Sequence, residues 1–336
     1  MNLPGFVDAH CHAFQRVLRG RDRGGDFWAW RDGMLALAES LTVADIRREY
    51  VEVYRELRAN GFTAVGEFHY LGLVEARAAA EAAAEAGIEL VLLYACYLRG
   101  GVERFRQESV ADYLAQLEAL RADGIRVGVA PHSVRACPPD ALRELGAYAA
   151  ANELPLHIHA DEQPREIEEC LAETGFRPIE LLAESGCLGR RTTIVHATHA
   201  DGRELDLLAE AGARICVCPT TEANLGDGFL PVARVLHRAI GLCIGSDSNV
   251  RIDPLEELRE LEGIGRRQTG KRGVMSVDAL LRAGAAEGAA ALGLETWPDA
   301  TVDLDHPQLR GVEDDAVYDA LVFGCAGGVL WKTSAQ

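Results

Sequence analysis

Short apolar runs alternate along the chain with longer runs whose apolar positions recur at helical spacing. The first, 6–12, follows the turn pair Pro4-Gly5 and reads as a buried strand. A long connection carrying Phe27-Trp28-Ala29-Trp30-Arg31 comes next, then a helix with Thr42 as N-cap and Gly61 just past its end. Seven more strands are predicted at 63–68, 88–96, 126–130, 156–159, 192–196, 213–218 and 241–245. Helices are predicted between them at 74–86, 110–122, from Pro138-Pro139-Asp140 onward, at 164–173, 177–184, 202–211 and 230–238. Two more, at 254–266 and 277–293, follow the last strand. Eight strand–helix units in alternation imply an α/β fold with a parallel sheet closed into a (β/α)8 TIM-type barrel over residues 1–295. A doubly wound open sheet is the alternative, but no Gly-x-Gly-x-x-Gly follows the first strand. Residues 296–336 break the rhythm, with 302–305 and 320–323 reading as short strands of a β-rich appendage.

Composition narrows the partners. Of the 336 residues 48% are hydrophobic and 26% charged, an ordinary globular balance without an apolar run of membrane-spanning length. The net charge of -18 argues against nucleic acid and anionic membranes. A small anionic substrate then needs a local cluster of Arg. Met1-Asn2-Leu3-Pro4 lacks the basic and apolar regions of a secretory leader, so the cytoplasm is the expected compartment. Nine scattered cysteines without a Cys-x-x-Cys signal reduced thiols, most of them small core residues.

In such a barrel the C-terminal strand ends converge on one mouth. The first strand ends in His10 and His12, which share a face because strand side chains alternate. The second contributes Glu67, His69 and Tyr70; the fourth His132 and Arg135; the fifth His157, His159 and Glu162. The sixth brings His196 and His199, the seventh Thr220, Thr221, Glu222 and Asn224, the eighth Ser246 and Asp247. Eight of the ten histidines lie at these ends, the exceptions being His237 and His306. Imidazoles with a carboxylate suit one divalent metal, Zn2+ first, with Fe2+ or Mn2+ as alternatives, and an open position for water. A second carboxylate must then move protons, and Glu162 stands three residues beyond His159.

His-x-His after strand one, His159, His196 and Asp247 together resemble the amidohydrolase superfamily, and His159-Ala160-Asp161-Glu162 its aminohydrolase branch. More narrowly, the chain is similar to the formimidoylglutamate deiminase family of histidine degradation. That likeness rests on His10-Cys11-His12-Ala13-Phe14-Gln15-Arg16, Phe27-Trp28-Ala29-Trp30-Arg31 and Pro131-His132-Ser133-Val134-Arg135. It extends through Thr220-Thr221-Glu222-Ala223-Asn224-Leu225-Gly226-Asp227-Gly228. The resemblance implies that His10, His12, His159 and Asp247 hold the metal, that Glu162 is the proton shuttle and that His196, in preference to His199, sits beside the reacting water. It implies that Gln15, Arg31, Tyr70, His132 and Arg135 contact the substrate.

The implied reaction is hydrolytic deimination of N-formimino-L-glutamate to N-formyl-L-glutamate and ammonia, by a cytoplasmic homodimer. Two arginines suit a substrate with two carboxylates, since Arg binds carboxylate bidentately. The departures from the family are at the ends and in two loops. The chain begins immediately before strand one, so the appendage is expected to be the remnant of a small β-sandwich without its N-terminal strands. The connections after Tyr70 and Tyr97 are short. Two other functions fit the residues: another aminohydrolase acting on a guanine-like or other amidine, and a non-catalytic barrel that retains a metal.

Overall fold

The computed structural model describes residues 1–21 and 24–332. A three-residue strand, β1 (Asn2–Pro4), opens the chain. The barrel strands follow: β2 (Phe6–Cys11), β3 (Phe62–His69), β4 (Glu89–Cys96), β5 (Val127–Pro131), β6 (Leu156–Ala160), β7 (Thr192–His196), β8 (Arg214–Val217) and β9 (Gly241–Ile244). All eight pair in parallel, each with its sequence neighbour. Closure falls to the ends of β2 and β9, where His12 N–H donates to the Asp247 carbonyl at 2.8 Å and Asp247 N–H to the His10 carbonyl at 2.9 Å. The seam of the barrel therefore runs through the residues of the expected metal site.

The strands are sealed on both faces, by the barrel interior and by the helical ring, which is why they read as unbroken apolar runs rather than alternating ones. Helix Val43–Ala59 begins where Thr42 accepts from Asp45 N–H and Asp45 reaches back to Thr42, a reciprocal capping box. Helix Leu73–Ala86 ends at Gly87 in the left-handed region. Its small inner face, Ala76, Ala79, Ala82 and Ala83, lets it lie close to the sheet. No helix among the described residues is long and apolar enough to cross a membrane.

Four features depart from the expectation. The connection after Gln15 contains helix Phe27–Ser40, started by Asp26 accepting from Ala29 N–H at 2.9 Å. The expected loop after β8 contains helix Pro219–Leu225, with Pro in its first turn and Gly226 at its end. The first buries Phe27, Met34 and Ala38, and the second buries Pro219, Thr220, Thr221 and Glu222. The predicted 277–293 helix is two, Val277–Gly284 and Ala286–Ala291, separated at Ala285.

The appendage differs most. Its strands are β10 (Asp299–Val302) and β11 (Leu330–Lys332), and β1 pairs antiparallel with β10, so residues 2–4 supply the N-terminal strand that the sequence reading left out. The 320–323 run is helical, within Val317–Gly324. A four-residue apolar run fits strand or helix equally. Here Leu321 and Val322 are buried and Arg259 donates to the Val322 carbonyl at 3.0 Å, which ties the helix to Pro254–Thr269.

Candidate metal centre and its cavity

Three imidazoles and a carboxylate converge where β2, β6 and β9 end. Nε2 of His10 lies 3.1 Å from Nε2 of His12 and 3.1 Å from Nε2 of His159, and His12 and His159 are 3.4 Å apart. Oδ1 of Asp247 lies 3.5 Å from His10 Nε2 and 3.3 Å from His12 Nε2. Metal–ligand distances of about 2.1 Å place neighbouring ligands of a four-coordinate centre roughly 3.4 Å apart, so the four atoms have the spacing of a ligand set.

The ring orientations agree. His12 Nδ1–H donates to the Phe68 carbonyl at 2.8 Å and His159 Nδ1–H to the His132 carbonyl at 3.0 Å, which leaves each Nε2 a lone pair aimed at the common centre. Burial pushes the His10 pKa down to about 3 and lowers those of His12 and His159, so the imidazoles are neutral. Three lone pairs cannot hydrogen-bond to one another, and a divalent cation satisfies all of them. These residues can hold a divalent metal.

His196, at the end of β7, presents Nε2 3.7 Å from Glu162 Oε1 and 3.8 Å from Asp247 Oδ2, while its Nδ1 lies 3.2 Å from Glu222 Oε1. Burial alone would lower its pKa. The Glu162 charge, the hydrogen bond to Glu222 and the Asp247 charge outweigh it and raise it to about 10, leaving an imidazolium among carboxylates. His196 and Asp247 both have left-handed backbones, φ 73° and 48°, a costly conformation that turns both side chains into the mouth.

Above the cluster lies a cavity of about 40 Å3. Gln15, Arg31, Tyr70, His132, Arg135 and Glu162 all line it. Gln15 Nε2 donates to Tyr70 Oη at 2.7 Å, and its buried Oε1 has no hydrogen-bond partner among the described residues. Arg135 donates to Glu162 Oε2 at 3.2 Å. Phe27, Trp30 and Met34 from the unpredicted helix close one side, and Tyr97 another.

The strand-end histidines divide. His10, His12, His159, His196 and His132 face the centre or its cavity. His69 bonds Tyr50 Oη and the Gly72 carbonyl, His157 the Ala291 carbonyl, and His199 the Asp227 carbonyl. These three serve packing, and Glu67 likewise turns away, accepting from Ala13 N–H and Tyr54 Oη. Two further carboxylates shape the geometry, and the sequence pattern assigns neither a role. Glu222 was visible at a strand end. Glu166, which approaches Arg135, sits in a helix without a distinguishing signal.

The family model for the amidohydrolase family matches residues 1–296. The chain belongs to the amidohydrolase family. It is 36% identical to formimidoylglutamate deiminase of Pseudomonas aeruginosa over 97% of this chain and 81% of that protein. It is 33% identical to a 5-methylthioadenosine/S-adenosylhomocysteine deaminase of Natronomonas pharaonis over 93% of this chain and 75% of that one. Among solved structures, an amidohydrolase from Brucella melitensis superposes with a TM-score of 0.84 at 31% identity, over 98% of this chain and 84% of that chain. This family member thus carries a hydrolase-type barrel with a divalent-metal ligand set at its mouth.

Proposed function

We propose that this amidohydrolase hydrolyses N-formimino-L-glutamate to N-formyl-L-glutamate and ammonia. One observation carries the substrate class: in a chain of net charge -18, two arginines, Arg31 and Arg135, line the small cavity over the metal ligands. Two guanidinium groups in one cavity match a dicarboxylate. The Pseudomonas aeruginosa formimidoylglutamate deiminase is a relative with that activity in its name.

The donor set of three imidazoles and one carboxylate suits zinc, and a bound zinc ion acidifies water to a pKa near ~7 while polarising the amidine carbon. The chain's own groups do the rest. Arg31 and Arg135 grip the carboxylates and fix the formimino carbon over the cluster. Gln15 Oε1, buried and without a partner among the described residues, accepts from an amidine N–H. The attacking water gives up both of its protons to the nitrogen that leaves. Glu162 takes the first and delivers it to the amidine nitrogen. Asp247 takes the second from the hydroxyl of the tetrahedral carbon and passes it to the departing amine, and both carboxylates end unprotonated. The His196 imidazolium faces both carboxylates and steadies the negative charge that develops on the oxygen. Tyr70 and His132 wall the cavity against water.

The Natronomonas pharaonis relative favours a second reading, deamination of a purine nucleoside, for which the Phe27, Trp30 and Tyr97 rings offer stacking surface. Ammonia release by the zinc-loaded protein from N-formimino-L-glutamate and from 5-methylthioadenosine separates the two. Turnover of the first, abolished in Glu162→Gln and reduced at least about 100-fold in Arg31→Ala, supports deimination, since a charged hydrogen bond is worth up to roughly 3 kcal/mol. Turnover of the nucleoside alone overturns it.

A further inference from the structure

The guanidinium of Arg135 is shared between two carboxylates. Its Nη2 donates to Glu162 Oε2 at 3.2 Å, and its Nε lies 3.5 Å from Glu166 Oε1. Glu166 is fully buried and anchored, because its Oε2 accepts the backbone N–H of Glu162 at 3.1 Å. Neither Arg135 Nε nor Glu166 Oε1 has a hydrogen-bond partner among the described residues, so their ion pair is the contact left to each. The group assigned to grip substrate is therefore held by the group assigned to move protons.

That pairing opposes both tasks. A carboxylate oxygen that accepts from a guanidinium has less room to meet another donor, and a guanidinium engaged by a carboxylate has fewer N–H groups to offer. Arg31, across the cavity, makes no ion pair among the described residues. The cavity of about 40 Å3 is tight, and Arg135 forms part of the wall that a dicarboxylate would press against. Arg135 has space to move. It walls this cavity on one side and, on the other, a second cavity of about 250 Å3 bordered by Glu166 and Cys170.

We propose that Arg135 is a substrate-operated switch. In the free protein it pairs with Glu162; an arriving substrate carboxylate draws the guanidinium off and so releases Glu162 for proton transfer, with Glu166 as the fixed pivot. Glu166 is thus a positioning residue. The switch rests on the deimination reading above and adds to it that binding of a remote carboxylate raises the rate of the chemical step and not affinity alone.

The test is steady-state ammonia release by zinc-loaded parent and Arg135→Ala. The substrates are N-formimino-L-glutamate and two analogues with one carboxylate each, 4-(formimidoylamino)butanoate and 2-(formimidoylamino)butanoate. The switch expects one analogue to lose about 10- to 100-fold in kcat at saturation, the range of one charge-assisted hydrogen bond, with partial recovery on adding acetate. It further expects Arg135→Ala to turn that analogue over with a higher kcat than the parent does, because Glu162 is then never sequestered. In Glu166→Gln, kcat on the full substrate falls with little change in KM, and Glu166→Asp recovers part of it. Losses confined to KM for both analogues, without acetate rescue, overturn the switch and leave deimination standing. No release from the full substrate by the folded, metal-loaded parent overturns the deimination reading, and the switch with it.

Discussion

Nδ1 of His196 lies 3.2 Å from Oε1 of Glu222, and both side chains are about 1% exposed. The same Glu222 oxygen accepts the Cys218 backbone N–H at 3.0 Å, so the carboxylate is fixed to the end of β8 before it meets the imidazole. The pair sets which way the ring of His196 points.

Replacing Glu222 by Gln is expected to lower kcat about 10- to 100-fold with a small change in KM, the usual cost of losing an orienting partner. It also removes one cause of the raised His196 pKa, about 10 in the parent. A raised histidine pKa stabilises the fold fully below its unfolded value of about 6.5, and that contribution is lost as pH rises through the folded value. The alkaline limb of both the kcat profile and the thermal-stability profile should therefore move to lower pH in the variant. An unchanged limb would place the control of His196 elsewhere.

Metal removal should act on stability as well as on turnover. The apo protein keeps neutral imidazoles at His10, His12 and His159, with the His10 pKa near 3. Depressed histidine pKa values destabilise the fold as pH falls below about 6.5, because the unfolded chain takes up the protons first. Differential scanning calorimetry should show that acid loss in chelator-treated protein. Zinc at 100 times its Kd should restore about 2.7 kcal/mol. Equal melting temperatures with and without zinc would contradict the ligand set.

Glu67 offers a separate test far from turnover. It is fully buried, and burial raises its pKa to about 8 despite the hydrogen bonds from Ala13 and Tyr54. An acid whose folded pKa exceeds the unfolded one binds its proton more tightly when folded. Its contribution is present at low pH and lost as pH rises from about 4.3 through the folded value. Glu67→Gln should therefore flatten the decline of stability between about pH 5 and pH 8. Chemical denaturation at several pH values reads the slope directly.

Gly245 directly follows the last barrel strand, beside His10. A Cβ there would stand 2.6 Å from the His10 carbonyl oxygen and 2.9 Å from His10 Cβ. Gly245→Ala should cost about 1–3 kcal/mol by overpacking and displace His10. Weaker zinc binding by isothermal calorimetry, out of proportion to the loss of melting temperature, is the expected sign. A variant that binds zinc normally would show that the seam of the barrel can open by a few tenths of an ångström.

Much of this protein was legible in the chain alone. Eight alternating units, with Thr42, Gly87, Pro139 and Gly212 at helix ends, determine a parallel barrel, because caps and strand periods are local properties. His10, His12, His159, Glu162 and Asp247 were legible as strand-end candidates because the barrel topology sends every strand end to one mouth, and the family resemblance singled them out among the others. Tertiary structure alone decided which strand-end groups turn inward. His69, His157 and His199 occupy the same kind of position as the ligands yet are drawn off by Gly72, Ala291 and Asp227 carbonyls. It alone also made helix Phe27–Ser40 a wall of the site, paired β1 with β10 (Asn2 with Thr301, Pro4 with Asp299) from opposite ends of the sequence, and set Arg135 between Glu162 and Glu166. Pairing over such separations depends on where the closed barrel places distant segments, and no local pattern of side chains encodes that distance.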